Sequence, residues 1–143
     1  MATITWDSED SDRRKLTDLI IEFAWRVDHG LASSIHELVA DDVEMKLTNA
    51  TLVGKASVVA WGAKRDTFDR TTSHLMMNFR FRAVRRDRVE VDSSSLIFRH
   101  DGPGKGAAVP WAVTEYHDVF TRVGNEWKFE SRTSQDLFMS EGT

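Results

Sequence analysis

The chain contains no cysteine. Disulfides, thiol nucleophiles and thiolate metal ligands are therefore excluded, which fits a reducing compartment. No apolar run approaches the roughly 20 residues that a membrane-spanning helix needs. Residues 1–12 are acidic and polar, unlike a signal peptide. These absences point to a soluble, cytoplasmic protein with no membrane partner. Internal repeats, linkers and serine-nucleophile motifs are also missing. The run Gly102-Pro-Gly104-Lys-Gly106 is not a phosphate loop, because no Lys-Ser/Thr pair follows and no helix begins there. His29 and His36 lie near Asp41-Asp42, yet they are seven residues apart around a break rather than four apart on one helix face. No metal is expected from that pattern.

Charge of one sign is scarce too. The formal net charge is -4 over 143 residues. Arg80, Arg82, Arg85, Arg86 and Arg88 cluster, but Asp87, Glu90 and Asp92 interrupt and follow them. This reads as a solvated hairpin of paired charges, not as a nucleic-acid surface.

What is present is one domain's worth of chain with five tryptophans and eight phenylalanines. Rings this large belong in a core, a pocket or an interface. Residues 1–10 form a loose polar arm carrying Trp6, and residues 11–143 form a single domain. A first helix starts near Ser11 or Asp12 as its cap. Leu16, Leu19, Ile20, Phe23, Ala24 and Val27 recur at helical spacing, and Gly30 stops the helix. A short second helix covers about 33–39. Asp41-Asp42 reads as a turn, followed by strands over 43–48 and 51–53. Gly54 opens a third helix over about 55–68.

The remainder alternates as strand: 73–86, 88–100, 107–123 and 126–137, with a tight hairpin at Gly124-Asn125. Leu75, Met77, Phe79, Phe81 and Ala83 share one face by alternation, while His74, Met76, Asn78, Arg80 and Arg82 share the other. Helices first and strands after argue for an α+β fold with a mainly antiparallel sheet. Four long strands must twist and curl. Three helices across the open side then close a cone around a cavity. The apolar face of Leu75, Met77, Phe79 and Phe81 is too greasy for open water, so a homodimer or homotrimer is expected if the chain itself does not cover it.

Two residues suggest chemistry. Asp28 lies on the shoulder of the helix-one apolar stripe, beside Ala24, Ile21 and Trp25 on the helical wheel. A carboxylate there needs a partner, or it must reach water past Gly30. His74 opens the first long strand and points away from Leu75. An isolated strand histidine is most often structural. An aspartate on one imidazole nitrogen, however, fixes the tautomer and makes the other nitrogen a better base. Such a pair can take a proton from a carbon next to a carbonyl, or return one to a leaving hydroxide.

Further segments carry a family resemblance. They are Trp25-Arg-Val-Asp28-His-Gly30, His36-Glu-Leu-Val-Ala-Asp41-Asp42-Val-Glu, Gly54, Thr72-Ser-His74-Leu-Met-Met-Asn78, Tyr116-His-Asp118-Val-Phe120 and Gly124-Asn-Glu-Trp127-Lys-Phe-Glu-Ser-Arg132. In order and spacing, over about 12–138, the chain resembles SnoaL-like proteins of the nuclear transport factor 2-like superfamily. The scytalone dehydratases and hexachlorocyclohexane dehydrochlorinases of that superfamily pair a helix-one aspartate with a histidine on the first long strand. Asp28 and His74 match those positions, and Asn78 matches a recurrent pocket asparagine.

The resemblance implies a cone of three N-terminal helices on a strongly curved, mainly antiparallel mixed sheet. It also implies a cofactor-independent lyase or isomerase, of dehydratase or polyketide-cyclase kind, acting on a small apolar cyclic or aromatic molecule. Expected pocket residues are Asn78, Trp25, Trp61, Met76, Tyr116, Arg132 and Phe138, with Trp111 a further wall candidate. The match departs in its tyrosines, since Tyr116 is the only one, and in a second pocket histidine, for which His100 and His117 are candidates. A tight hairpin at Gly124-Asn125 would set His117 opposite Arg132, unless a bulge intervenes. The rival reading is a non-catalytic binding module, or the small subunit of an aromatic-ring-hydroxylating dioxygenase. An epoxide hydrolase would need an Asp–Arg–Asp set, which is not evident.

Overall fold

The computed structural model describes residues 10–82 and 85–140; the expected arm over 1–10, Trp6 and Ala83 lie outside the described residues, apart from residue 10 itself. The order is α1 (Asp10–Asp28), a 3₁₀ helix (Ala32–Leu38), β1 (Val39–Lys46), β2 (Thr51–Val53), α2 (Lys55–Asp66), β3 (Arg70–Arg82), β4 (Arg88–Asp101), β5 (Ala112–Val123) and β6 (Glu126–Met139). The strands form one sheet in the order β2-β1-β6-β5-β4-β3. Only β1 and β6 run parallel; every other neighbouring pair is antiparallel.

The apolar stripe of α1 works as its spacing predicts. Leu16, Ile20, Phe23 and Val27 are buried and join Val43, Met45, Val89, Val91, Phe120 and Phe129 in the core. Each such side chain, once fully buried, contributes about 1.5–3 kcal/mol. Asp12 is not the helix cap. The helix already runs at Asp10, and the Asp12 carboxylate accepts from Trp127 Nε1 and Arg122 Nη2, both at 3.1 Å. That contact ties the start of α1 to the β5–β6 hairpin.

At the other end Gly30 adopts φ +74° and Leu31 N donates to Arg26 O at 2.8 Å. This closure satisfies the last helical carbonyls and turns the chain into the 3₁₀ helix. The 3₁₀ helix is pinned to α2 from both sides. Asp66 accepts from the amides of Ala32 and Ser33. Gly62 sits against the Ala32 carbonyl, where any added Cβ would overlap it.

Three strand starts and one helix type differ from the sequence reading. β1 begins at Val39, so Asp41-Asp42 is no turn; the pair is exposed inside the strand, where its register with β6 shifts between Val39 and Glu44. β3 begins at Arg70, three residues early. β5 begins at Ala112 rather than 107, because Pro110 has no amide to give to a ladder and Val109 is exposed. The second helix is 3₁₀ rather than α.

The largest correction is on β3. Its register with β4 shifts between Met77 and Arg80, so that Asn78 and Phe79 together oppose the single Ser93. Asn78 takes φ +57°, a left-handed conformation that asparagine tolerates better than most residues. The bulge reverses the alternation. His74 and Met76 point inward before it, and Phe79 and Phe81 point inward after it. Leu75 and Met77 are left on the outer face. The apolar face expected from alternation is therefore split, with Leu75 and Met77 on one side of the sheet and Phe79 and Phe81 on the other.

Candidate active site

A cavity of about 370 Å³ lies between the helices and the concave face of the sheet. Phe23, Ala24 and Val27 of α1 and Trp61 of α2 wall it from the helical side. His74 and Met76 of β3, Tyr116 of β5 and Arg132 of β6 face it from the sheet.

Asp28 and His74 meet at its edge. The last residue of α1 brings its carboxylate onto β3, where His74 Nδ1 lies 2.6 Å from Oδ1. Oδ2 accepts the His74 backbone amide at 2.8 Å. Thr72, two residues earlier on the same strand face, donates its hydroxyl to Oδ1 at 2.7 Å. The Asp28 side chain is 8% exposed and that of His74 is 20% exposed. Burial alone would raise the Asp28 carboxyl. The hydrogen bonds and the nearby charge of His74, with help from Thr72, outweigh burial and hold it below the usual carboxylate value. With Asp28 accepting at Nδ1, that nitrogen carries the proton, and in the neutral form of the ring Nε2 keeps its lone pair. Nε2 has no protein partner among the described residues.

One further layer supports Asp28. Arg65 of α2 donates through Nη2 to Thr72 Oγ1 at 3.0 Å. Burial, followed by the charge of Arg70, lowers the Arg65 pKa, although the side chain remains a cation at any working pH.

Arg132 is buried deep in the same space. It is held by Asp118 in a two-pronged pair, Nε to Oδ1 at 2.7 Å and Nη2 to Oδ2 at 3.0 Å. Its guanidinium lies over the rings of Tyr116, Phe129 and Phe23, between 4.4 and 5.1 Å from their centroids. Burial pushes the Arg132 pKa down, but the Asp118 carboxylate more than reverses this and raises it. Tyr116 shares a 2.8 Å hydrogen bond with Ser95 Oγ, and burial raises its pKa, so it is a neutral phenol at physiological pH. The cavity thus pairs a proton acceptor with polar groups able to stabilise charge on a substrate oxygen.

Among the residues expected in the pocket, Trp61, Met76, Tyr116, Arg132 and Trp111 line the cavity together with His74. Three others do not. Asn78 lies in a groove on the opposite face of the sheet, carried there by its own bulge. Trp25 is 55% exposed and stacks on His29 at 3.8 Å, because it projects from the side of α1 facing water. Phe138 is 69% exposed, beyond the register shift near Thr114 that turns the end of β6 outward.

His100 turns to the carbonyl of Pro103. His117 sits on the outer face between Asp92 and Glu90, at 2.8 and 3.0 Å. The expected pairing of His117 with Arg132 does not form. A second register shift, between Val119 and Phe120, makes Asp118 the partner of Arg132 and Thr133 the partner of His117. Thr72, Arg65 and Asp118 escaped the sequence reading. Thr72 was findable as the same-face neighbour of His74, and Arg65 as the residue one helical turn after Trp61. Asp118 was not findable without the bulge. Among the described residues no group of three or more His, Asp or Glu side chains could hold a metal ion. No helix among them is long and apolar enough to cross a membrane.

Comparison with known proteins agrees with this architecture. A candidate scytalone dehydratase from Novosphingobium aromaticivorans superposes with a TM-score of 0.82 at 18% identity, covering 97% of this chain and 93% of its own. A nuclear transport factor 2-like protein of cystatin-like fold from the same organism superposes at 0.75 with 22% identity, covering 93% and 84%. A type 3 hexachlorocyclohexane dehydrochlorinase from Novosphingobium barchaimii gives 0.74 at 17% identity, covering 94% of both chains. At such identities the likeness establishes the fold alone. No curated protein sequence matches the chain. The model of the SnoaL-like domain family matches residues 8–133, nearly the whole chain. With that match over most of its length, the chain belongs to the SnoaL-like domain family, and its three helices on a six-stranded curved mixed sheet share the fold of the nuclear transport factor 2-like structure.

Proposed function

We propose that this protein is a cofactor-independent lyase or isomerase in which His74 is the general base and acid and Asp28 positions it. The carrying observation is the 2.6 Å contact between His74 Nδ1 and the Asp28 carboxylate at the edge of a largely apolar cavity. In an elimination, His74 Nε2 takes a proton from a carbon next to a carbonyl. The C–H electron pair becomes the new double bond, and the leaving group departs with its own pair. In a dehydration the imidazolium then gives the proton to the leaving hydroxide; in an isomerisation no group leaves, the C–H pair passes into an enolate, and the imidazolium returns the proton to another carbon. Tyr116 can donate a hydrogen bond to the carbonyl oxygen as charge develops there. Dehydration and dehydrochlorination, named for two of the structural neighbours, are both eliminations that need a base. Replacing His74 by alanine tests the reading: turnover should fall about 10²–10⁴-fold while the fold is kept. Full activity in that variant would end it.

The outer face of the sheet supports self-association. The register aligns Leu75, Leu96, Val113 and Phe138 in one row across four strands. Leu75 and Phe138 are 47% and 69% exposed. A second copy of the chain seated on this row would remove it from water, and light scattering on the purified protein reads whether it does.

A further inference from the structure

We infer that the substrate is an anion, a small ring compound bearing a carboxylate, and that Arg65 is the residue that receives the carboxylate. This deepens the reading of His74 as base and rests on it for the reaction, though not for the binding.

The arginines that line the cavity are unequally paired. Arg132 is neutralised by Asp118 in a two-pronged contact. Arg70 and Arg99 both bind Asp101, at 2.6 and 2.8 Å. Arg65 differs. It is 7% exposed and lines the cavity, yet among the described residues its guanidinium hydrogen-bonds only to the hydroxyl of Thr72 and forms no ion pair.

Two carboxylates lie in the neighbourhood, and both are committed elsewhere. Asp28 already accepts from Thr72 and twice from His74. Asp66 caps the amides of Ala32 and Ser33. A buried cation without a counter-ion is costly, and the cost is recovered when a ligand supplies the negative charge. A planar guanidinium with nitrogens to spare suits a carboxylate, which it can grip with two parallel bonds.

Thr72 stands between Arg65 and Asp28, so a carboxylate on Arg65 would be held close to His74 without touching Asp28 directly. An apolar ring between Phe23, Trp61 and Met76 would then carry its reactive carbon next to the imidazole.

Calorimetric titration of the full chain with benzoate, and with benzamide as its uncharged counterpart, tests the inference. Benzoate should bind at least about tenfold more tightly than benzamide. Arg65→Gln should abolish that preference, and Arg65→Lys should keep part of it. His74→Ala should bind benzoate as the parent does. Equal binding of the two probes, no benzoate binding up to on the order of 10 mM, or an Arg65→Gln variant with the parental preference would each overturn the anion assignment. If Arg65→Gln does not fold, the two probes on the parent protein decide the matter alone. Should the base reading fail instead, His74→Ala would keep turnover while the benzoate preference stayed intact, so the two failures are distinct.

Discussion

Asp28 holds His74 twice, through the ring nitrogen with one carboxylate oxygen and through the backbone amide with the other. The second contact fixes the strand at the point where the side chain leaves it. The first then has little freedom in where the ring points. One carboxylate at the end of a helix therefore sets both the tautomer and the aim of the proposed base.

This double grip predicts the behaviour of Asp28→Asn. The amide can still accept from the His74 backbone, so the fold should persist. The ring would lose its charged partner, and activity should fall by about 10²-fold or more with a shifted pH profile. Unchanged activity and an unchanged profile would show that the two side chains do not work together.

The same carboxylate also predicts an acid sensitivity. The Asp28 pKa is lowered in the folded protein from an ordinary value of 3.8. A depressed acid contributes stability that is complete above its unfolded pKa and is lost as pH falls through its folded pKa. Urea unfolding of the parent should therefore weaken below pH 3.8 in a way that Asp28→Asn, which has nothing there to protonate, does not share. Parallel pH curves for the two proteins would refute this.

The Asp118–Arg132 pair predicts a large stability loss on breaking one side. Both side chains are almost fully buried, at 0% and 4% exposure. Asp118→Asn leaves Arg132 a buried charge with a poorer partner, which should cost about 3–5 kcal/mol in a urea titration. Removing both charges together, as Asp118→Leu with Arg132→Met, should cost far less, since a well-packed apolar pair avoids the desolvation penalty. Equal losses in the single and double variants would show that packing, not charge, carries the effect.

Asn78 supplies a prediction opposite to the one its sequence position suggests. It lies on the outer face and owes its place to a left-handed backbone. Asn78→Gly should leave turnover intact, whereas Asn78→Val should lower stability by about 1–2 kcal/mol through backbone strain. A loss of activity in the glycine variant would return Asn78 to the pocket.

Much of the frame was legible in the chain. The spacing from Leu16 to Val27 names a helix and its buried face, Gly30 its end, and Gly124-Asn125 the last hairpin. Each depends on residues within one turn or one loop of each other, where local geometry dominates. Asp28 could be picked out as a carboxylate on an apolar shoulder, and His74 by its phase on the strand. The sides taken by Asn78, Phe79, His117 and Arg132 could not be read. They depend on two β-bulges, and in a structure with a side-chain period of two a single extra residue moves everything beyond it to the other face.

Local periodicity and residue type thus determined which elements form and which acids and bases are on hand. Which of those groups meet was decided only when the strands paired. The contacts Asp28–His74, Asp118–Arg132 and Arg65–Thr72 join different elements, and their existence depends on register and on the shape of the enclosed space, neither of which is a property of any short stretch of chain.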